Sequence, residues 1–250
     1  MRTKVLVIEL IYNNNITHMN TISSVHSLRK NNLSPFQILL INKPTYARYT
    51  AANYDVATNI LKETTNSGRN ASGTGIFKGT SNLNGALATI DYVKGSTTSK
   101  IIFPNGTIPV NYTICCLTRY SGPTFGRILQ SVEQNWLLGH WFGNRGVHFN
   151  GSWRTQQVNT GINGNWLNFC GTNGGTTPTN ILCDGVSIGI STGSNQVASS
   201  LSINGGLLYP NETSDFEFSQ VLIWNVVLTA TAMITVSNAI ANYLATGFLI

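Results

Sequence analysis

Residues 112–153 read YTICCLTRYSGPTFGRILQSVEQNWLLGHWFGNRGVHFNGSW. β-Branched, aromatic and other apolar residues alternate here with polar ones, and glycine-containing turns cut the stretch into pieces of strand length. The first piece is the clearest. Alternation over 112–119 puts Tyr112, Ile114, Cys116 and Thr118 on one face, and Thr113, Cys115, Leu117 and Arg119 on the other. The vicinal cysteines therefore point away from each other and are not expected to bond to one another. In NWLLGHW, Trp136, Leu138 and His140 share one face, and Leu137, Gly139 and Trp141 the other. GRILQS (126–131) and GVHFNGSW (146–153) continue the series of strands.

The same texture extends in both directions. Upstream, IFKG (76–79), ATIDYV (88–93) and SKIIFPNG (99–106) are short β-like runs. Before them, the segment from Tyr46 reads as an Asn-Tyr-Asp turn, a short apolar stretch and a polar Gly/Asn/Ser loop. Downstream, 165–173 and 180–189 form a hairpin around GTNGGTTPT, with Asp184-Gly185 as a further turn. That hairpin sets Cys170 roughly opposite Cys183, as a cross-strand disulfide or, the reading preferred here, as two half-buried thiols. ASSLSING (198–205) and DFEFSQVLIWNVVL (215–228) are the last strands.

Helical periodicity appears in 229–246. Thr229 is placed to cap the start, and Met233, Val236, Ile240, Tyr243 and Leu244 form an apolar stripe. Gly247 stands where a left-handed terminating residue belongs. More than ten short strands and one late helix predict an all-β antiparallel sandwich closed by a C-terminal helix.

Composition agrees. Charged residues are 10% of the 250 and asparagine occurs 30 times, so polarity comes from amides, hydroxyls and glycine-rich turns. Residues 1–44 hold five basic residues against one acid, and therefore four of the six net positive charges. They read as a basic N-terminal extension or arm, with the domain occupying 45–250. The charge forms no dense basic stripe interleaved with aromatics, so nucleic acid is not expected as a partner. No apolar run is long enough to span a bilayer, and Glu9 interrupts the only signal-like run, VLVIELIY. N-x-S/T triplets begin at, among others, Asn15, Asn70, Asn105, Asn111, Asn150 and Asn211.

Four segments in order carry a family resemblance: NYDVATNILKETTNSGRNAS (53–72), the central strands quoted first, the hairpin of 165–189, and FSQVLIWNVVLTATAMITVSNAIANYLATG (218–247). Together they resemble the concanavalin A-like lectin/glucanase superfamily in its laminin-G-like jelly-roll branch, of the kind seen in algae, protists and the large DNA viruses that infect them. The resemblance implies a two-sheet jelly roll and a glycan- or protein-binding role at an extracellular or virion surface. The N-terminal extension falls outside it, and could tie copies into an assembly.

A glycosidase of this branch needs carboxylates in register on one strand. Glu212 is one residue out of register with Asp215 and Glu217, and those two alternate with Phe216 and Phe218, so they are expected to face solvent. No G-x-S-x-G nucleophile motif occurs, and no Cys/His spacing suits zinc. No cofactor is therefore expected; calcium would have to rely on isolated turn residues such as Asp55 and Asp184. What the stretch does offer is sugar-binding chemistry: rings to stack on a pyranose, with amide and guanidinium donors for its hydroxyls. Trp136, His140, Trp141, Asn144, Arg145 and Trp153 are the candidate ligand-binding residues. The chain is expected to be a non-enzymatic recognition or adhesion domain, with a structural subunit or a divergent glycoside hydrolase as alternatives.

Overall fold

The computed structural model describes residues 44–155, 162–174, 181–190 and 197–248. All but the last residue of the basic arm lies outside them. Sixteen strands and one helix are present among the described residues. The strands are β1 (Ala47–Asp55), β2 (Ile60–Glu63), β3 (Ala71–Thr74), β4 (Phe77–Ser81), β5 (Ile90–Gly95), β6 (Lys100–Ile102), β7 (Thr113–Phe125) and β8 (Leu129–Ser131). There follow β9 (Trp136–Trp141), β10 (Asn144–Asn150), β11 (Ser152–Thr155), β12 (Leu167–Thr172), β13 (Ile181–Cys183), β14 (Val186–Gly189), β15 (Leu201–Ile203) and β16 (Ser214–Trp224), then α1 (Ala230–Thr246).

One antiparallel ladder runs β11-β10-β9-β8-β15-β6-β3-β2-β1-β16-β7-β12-β13-β14. It folds over on itself as a sandwich. Trp136 and Leu138 of β9 share a buried core with Ile114 and Cys116 of β7, Leu167 and Phe169 of β12, and Phe216 and Phe218 of β16. The two ends of the ladder also meet: a Cβ on Gly189 in β14 would lie 2.6 Å from the Thr155 methyl in β11, so only glycine fits there. β16 is long enough to change partners. Gln220–Ile223 pair with β1, while Phe216–Phe218 pair with β5, which carries β4 at its edge.

A second core lies on the outer face of β7, β12 and β16. Cys115, Leu117, Cys170, Leu182, Leu222 and Trp224 are covered by Met233, Val236, Ala239, Ile240 and Tyr243 of α1. The helix begins and ends as its sequence predicts. Thr229 accepts the Ala232 N–H at 3.2 Å, and Gly247 adopts φ 73° while donating to the Tyr243 carbonyl. The Asn168 amide reaches up from β12 and donates to the Ser237 carbonyl at 2.7 Å, fixing the helix to the sheet. No helix among the described residues is long and apolar enough to cross a membrane.

Three local expectations are corrected. Asn53-Tyr54-Asp55 is the end of β1, and the turn follows it, with the Asp55 carboxylate accepting the Ala57 N–H at 3.0 Å. The polar segment after Asn66 contains β3, whose small residues fit between β2 and β6 with Ala71 buried. Tertiary pairing here overrides weak local propensity. The hairpin register is one residue away from the one expected: Cys170 faces Leu182, and Cys183 faces Phe169. A one-residue step sends the two thiols to opposite faces. Cys170 instead bonds to Cys115 of β7, directly across that pairing. Cys116 and Cys183 point into the inner core, where burial pushes the Cys116 thiol up to about 12.

The Cys115–Cys170 bond spans 55 residues, so chain entropy assigns it about 4 kcal/mol. Replacing both cysteines by alanine should lower the urea midpoint accordingly, and non-reducing peptide mapping should recover the 115–170 pair. Recovery of a 170–183 pair would contradict the register described here.

Candidate functional site

β9, β10 and β11 form a meander joined by two tight turns. The structure divides the six candidate residues between its two faces. Trp136, His140 and Arg145 are buried, not at the surface where the sugar-binding expectation needs them. Trp136 lies in the inner core and donates its indole N–H to the Tyr112 hydroxyl at 2.7 Å. His140 sits under Tyr120, with ring centroids 4.7 Å apart, and meets the Thr118 hydroxyl through Nδ1 at 3.3 Å. Arg145 runs inward to the Trp166 carbonyl at 2.9 Å and the Asp184 carboxylate at 3.2 Å.

Trp141, Asn144 and Trp153 are half-buried and reach the surface. Trp141 and Trp153 pack with centroids 4.8 Å apart, Phe149 meets Trp153 at 5.1 Å, and Phe142 meets Trp141 at 5.0 Å. Phe142 is 65% exposed at the tip of the β9–β10 hairpin. It takes φ 48°, followed by Gly143 at φ 77°, in a turn type that normally prefers asparagine. An exposed aromatic held in an unfavourable backbone conformation is a feature of ligand sites rather than of packing.

Trp141 is fixed from behind by Glu212, which the sequence offered only as an out-of-register carboxylate, and by Arg127, which it did not single out. Its indole N–H donates to Glu212 Oε2 at 3.0 Å. The same oxygen pairs with Arg127 Nε at 2.6 Å, and Arg127 also donates to Asn135 and lies 4.0 Å above the Tyr209 ring. With the Arg127 side chain 5% exposed, this is a shielded, charge-assisted clamp. Arg127 and Glu212 are 85 residues apart, so no local spacing could have paired them. The legible hint was an aromatic where an Asn-Gly turn would be ordinary.

The other acids hold structure. Glu217 does not face solvent as expected: it is buried opposite Arg119 in the β7–β16 register and pairs with it at 2.6 Å. Asp184 receives Arg145 and the Asn168 N–H. Hydrogen bonds from the Thr58 side chain and the 57–58 backbone, with the nearby Lys62, hold the Asp55 carboxyl below its usual range. Among the described residues no three His, Cys, Asp or Glu gather as a metal would need. Of the N-x-S/T asparagines, Asn150 is buried and donates to Tyr112, whereas Asn70, Asn105, Asn111 and Asn211 are exposed; Asn15 lies outside the described residues.

No family model and no curated protein matches the chain. Its fold is similar to part of Trypanosoma rangeli sialidase in complex with sialic acid, at TM-score 0.51 and 11% identity over 80% of this chain. It is similar to domain 4 of AbnA, a GH43 extracellular arabinanase of Geobacillus stearothermophilus in complex with arabinotriose (TM-score 0.50, 14% identity, 77% of this chain and 97% of that one). It is also similar to the receptor binding domain of botulinum neurotoxin mosaic serotype C/D (TM-score 0.50, 18% identity, 79% of this chain and 51% of that one). The chain spans 33% of the sialidase. At these identities the likeness establishes the fold, an antiparallel β-sandwich.

The buried histidines give this region an acid sensitivity. Burial, and then the charges of Arg145 and Arg154 respectively, lowers His140 and His148 to about 3 from the ordinary 6.5. Each therefore stabilises the fold fully above pH 6.5, and that contribution fades as pH falls towards 3, by about tenfold in the folding equilibrium per unit and per histidine. Urea unfolding between pH 7 and 4 should show this slope, and His148→Gln should reduce it by about half.

Proposed function

We propose that this chain is a non-enzymatic glycan-recognition domain of the concanavalin A-like jelly-roll type, acting at an extracellular or virion surface. One observation carries the reading: the row Phe142–Trp141–Trp153–Phe149, ending in an exposed ring and immobilised through Trp141 by the Glu212–Arg127 pair. A sugar offers an apolar face of C–H groups and a rim of hydroxyls, and rings that need no ordering on binding meet that face at low entropic cost. Asn144, opposite Trp141 in the hairpin, supplies amide chemistry beside the row. The sandwich is a fold that also occurs in proteins holding sialic acid and arabinotriose, which supports the reading by analogy. The Cys115–Cys170 bond supports an oxidising destination.

On a glycan array the protein should bind a restricted set of structures. Trp153→Ala and Phe142→Ala should each weaken the best of them by about tenfold. Phe142→Ala removes an exposed ring and should leave the melting temperature near that of the parent. A blank array at high micromolar protein, or hits indifferent to both substitutions, would sink the proposal.

A further inference from the structure

We infer that a groove on the other side of the β7–β16 strand ends is a second ligand site, built for a single neutral sugar residue. The groove, of about 320 Å³, lies between the edge strand β4, the end of β5 and the ends of β7 and β16. Phe77, Lys94, Ser121 and Asp215 form its walls, and Gly95 and Gly122 lie among them. None of these belongs to the aromatic row, and none was singled out as a ligand-binding residue from the sequence.

Each wall residue has binding capacity that the fold leaves unused. Phe77 is 66% exposed, sits opposite Lys94 in the β4–β5 pairing, and makes no ring contact with another aromatic among the described residues. The exposed Lys94 ammonium has neither ion pair nor hydrogen bond among them. Asp215 accepts the Thr124 N–H through Oδ2 at 3.1 Å, which leaves Oδ1 available. The Ser121 hydroxyl is likewise exposed and without a partner among the described residues.

The placement of Asp215 has a structural cause. The β7–β16 register shifts between Ser214 and Phe216. Two steps along β16, Ser214 to Phe216, span five along β7, Phe125 to Tyr120, so the extra residues belong to β7 and place Ser121–Pro123 beside Asp215. Two residues further on, Glu217 is buried against Arg119, whereas Asp215 is brought to the groove. Gly122 keeps that position open: a Cβ there would lie 2.7 Å from Asp215 Oδ2.

These groups select a ligand class. One cation and one carboxylate nearly cancel, so the groove has little net pull on a phosphate or a free carboxylate. A neutral polyol satisfies both: its hydroxyls donate to Asp215 Oδ1 and accept from Lys94. The ring of Phe77 takes the apolar face of the same sugar. The volume is at the small end of ligand pockets, enough for one ring with its neighbours projecting outward. The ligand class rests on the glycan reading above; the location does not.

The test is a ¹⁵N-resolved NMR titration of the whole chain with methyl glycosides of glucose, galactose, mannose, arabinose and N-acetylglucosamine. Sodium phosphate and sodium acetate serve as anion controls. At least one glycoside should give saturable shifts at the Gly95 and Gly122 amides, with a dissociation constant in the millimolar range expected of so small a ligand. Asp215→Asn and Phe77→Ala should each weaken it roughly tenfold or more, and Lys94→Gln, on an exposed side chain, should weaken it in a chain whose remaining spectrum is unchanged. Shifts confined to the Trp141 indole and Phe142 would overturn the second site and leave the aromatic-row reading standing. Shifts confined to the groove would support the second site and count against the row. An absence of shifts with every glycoside would overturn the groove as a sugar site. Shifts at Gly95 and Gly122 produced by phosphate or acetate, and strengthened in Asp215→Asn, would replace the sugar site by an anion site.

Discussion

Strand β7 is apolar on both faces because both are covered. It is hydrogen-bonded to β16 on one side and β12 on the other, so no backbone group along Thr113–Thr118 needs water. Ile114 and Cys116 enter the inter-layer core, while Cys115 and Leu117 lie under the helix. A one-residue slip would exchange these two sets and drive Arg119 into the inner core. Arg119 fixes the register from the opposite direction, since its guanidinium is neutralised by Glu217 across the strand and lies 5.6 Å from the Trp166 ring centre. Where the double burial ends, at Ser121–Phe125, the strand reaches the surface. There it borders the Asp215 groove on one side, and the Phe125 carbonyl accepts the Gly143 N–H of the aromatic hairpin on the other.

Few charges do not mean a purely apolar interior. Tyr112 is the hub of a buried polar cluster: its hydroxyl receives Trp136 Nε1 and Asn150 Nδ2 and lies 3.0 Å from His148 Nε2. With two donors already on the oxygen, the hydroxyl proton is directed to Nε2, which places the imidazole proton on Nδ1. Burial keeps the phenol protonated and the imidazole neutral. The ion pairs follow a similar logic. Arg119–Glu217, Arg127–Glu212 and Arg145–Asp184 join segments 98, 85 and 39 residues apart. Because the arginine of each pair is largely buried, the penalty for the wrong arrangement exceeds the gain from the right one: a mispaired chain strands a buried charge.

The two kinds of information in the sequence were unequally legible. Features set by local period could be read directly: the two faces of β7, the alternation in β9, the Asp184-Gly185 turn, and α1 from Thr229 to Gly247. Features set by which strands become neighbours could not. Cys115 meets Cys170 only because β7 lies beside β12, and Glu217 is buried only because Arg119 arrives opposite it. β3 is a strand because β2 and β6 flank it, since its residues ASGT carry almost no β signal of their own. The candidate site divided along the same line. Alternation separated Trp136 and His140 from Trp141, and what it lacked was which face would be covered. Arg145 escaped that logic altogether, since its long side chain reaches Trp166 and Asp184 from the hairpin.

The scarcity of charge and the chemistry of the two surface sites belong together. Most described carboxylates are engaged: Glu63 by the backbone of 48 and 65, Glu133 by Ser200, Glu212 and Glu217 by arginines. What the domain shows to solvent is then largely amide, hydroxyl, exposed backbone at turns, and a few unshielded rings such as Phe77 and Phe142. Such a surface exerts little long-range pull on anions, and association with it gains little from electrostatic steering. Discrimination has to come from short-range fit, with a ring face for C–H groups and fixed donors and acceptors around it. The same strand ends make that fit possible twice: Glu212 leans one way to immobilise Trp141, and Asp215, three residues later, lines the groove beside the extra residues that β7 carries between Tyr120 and Phe125.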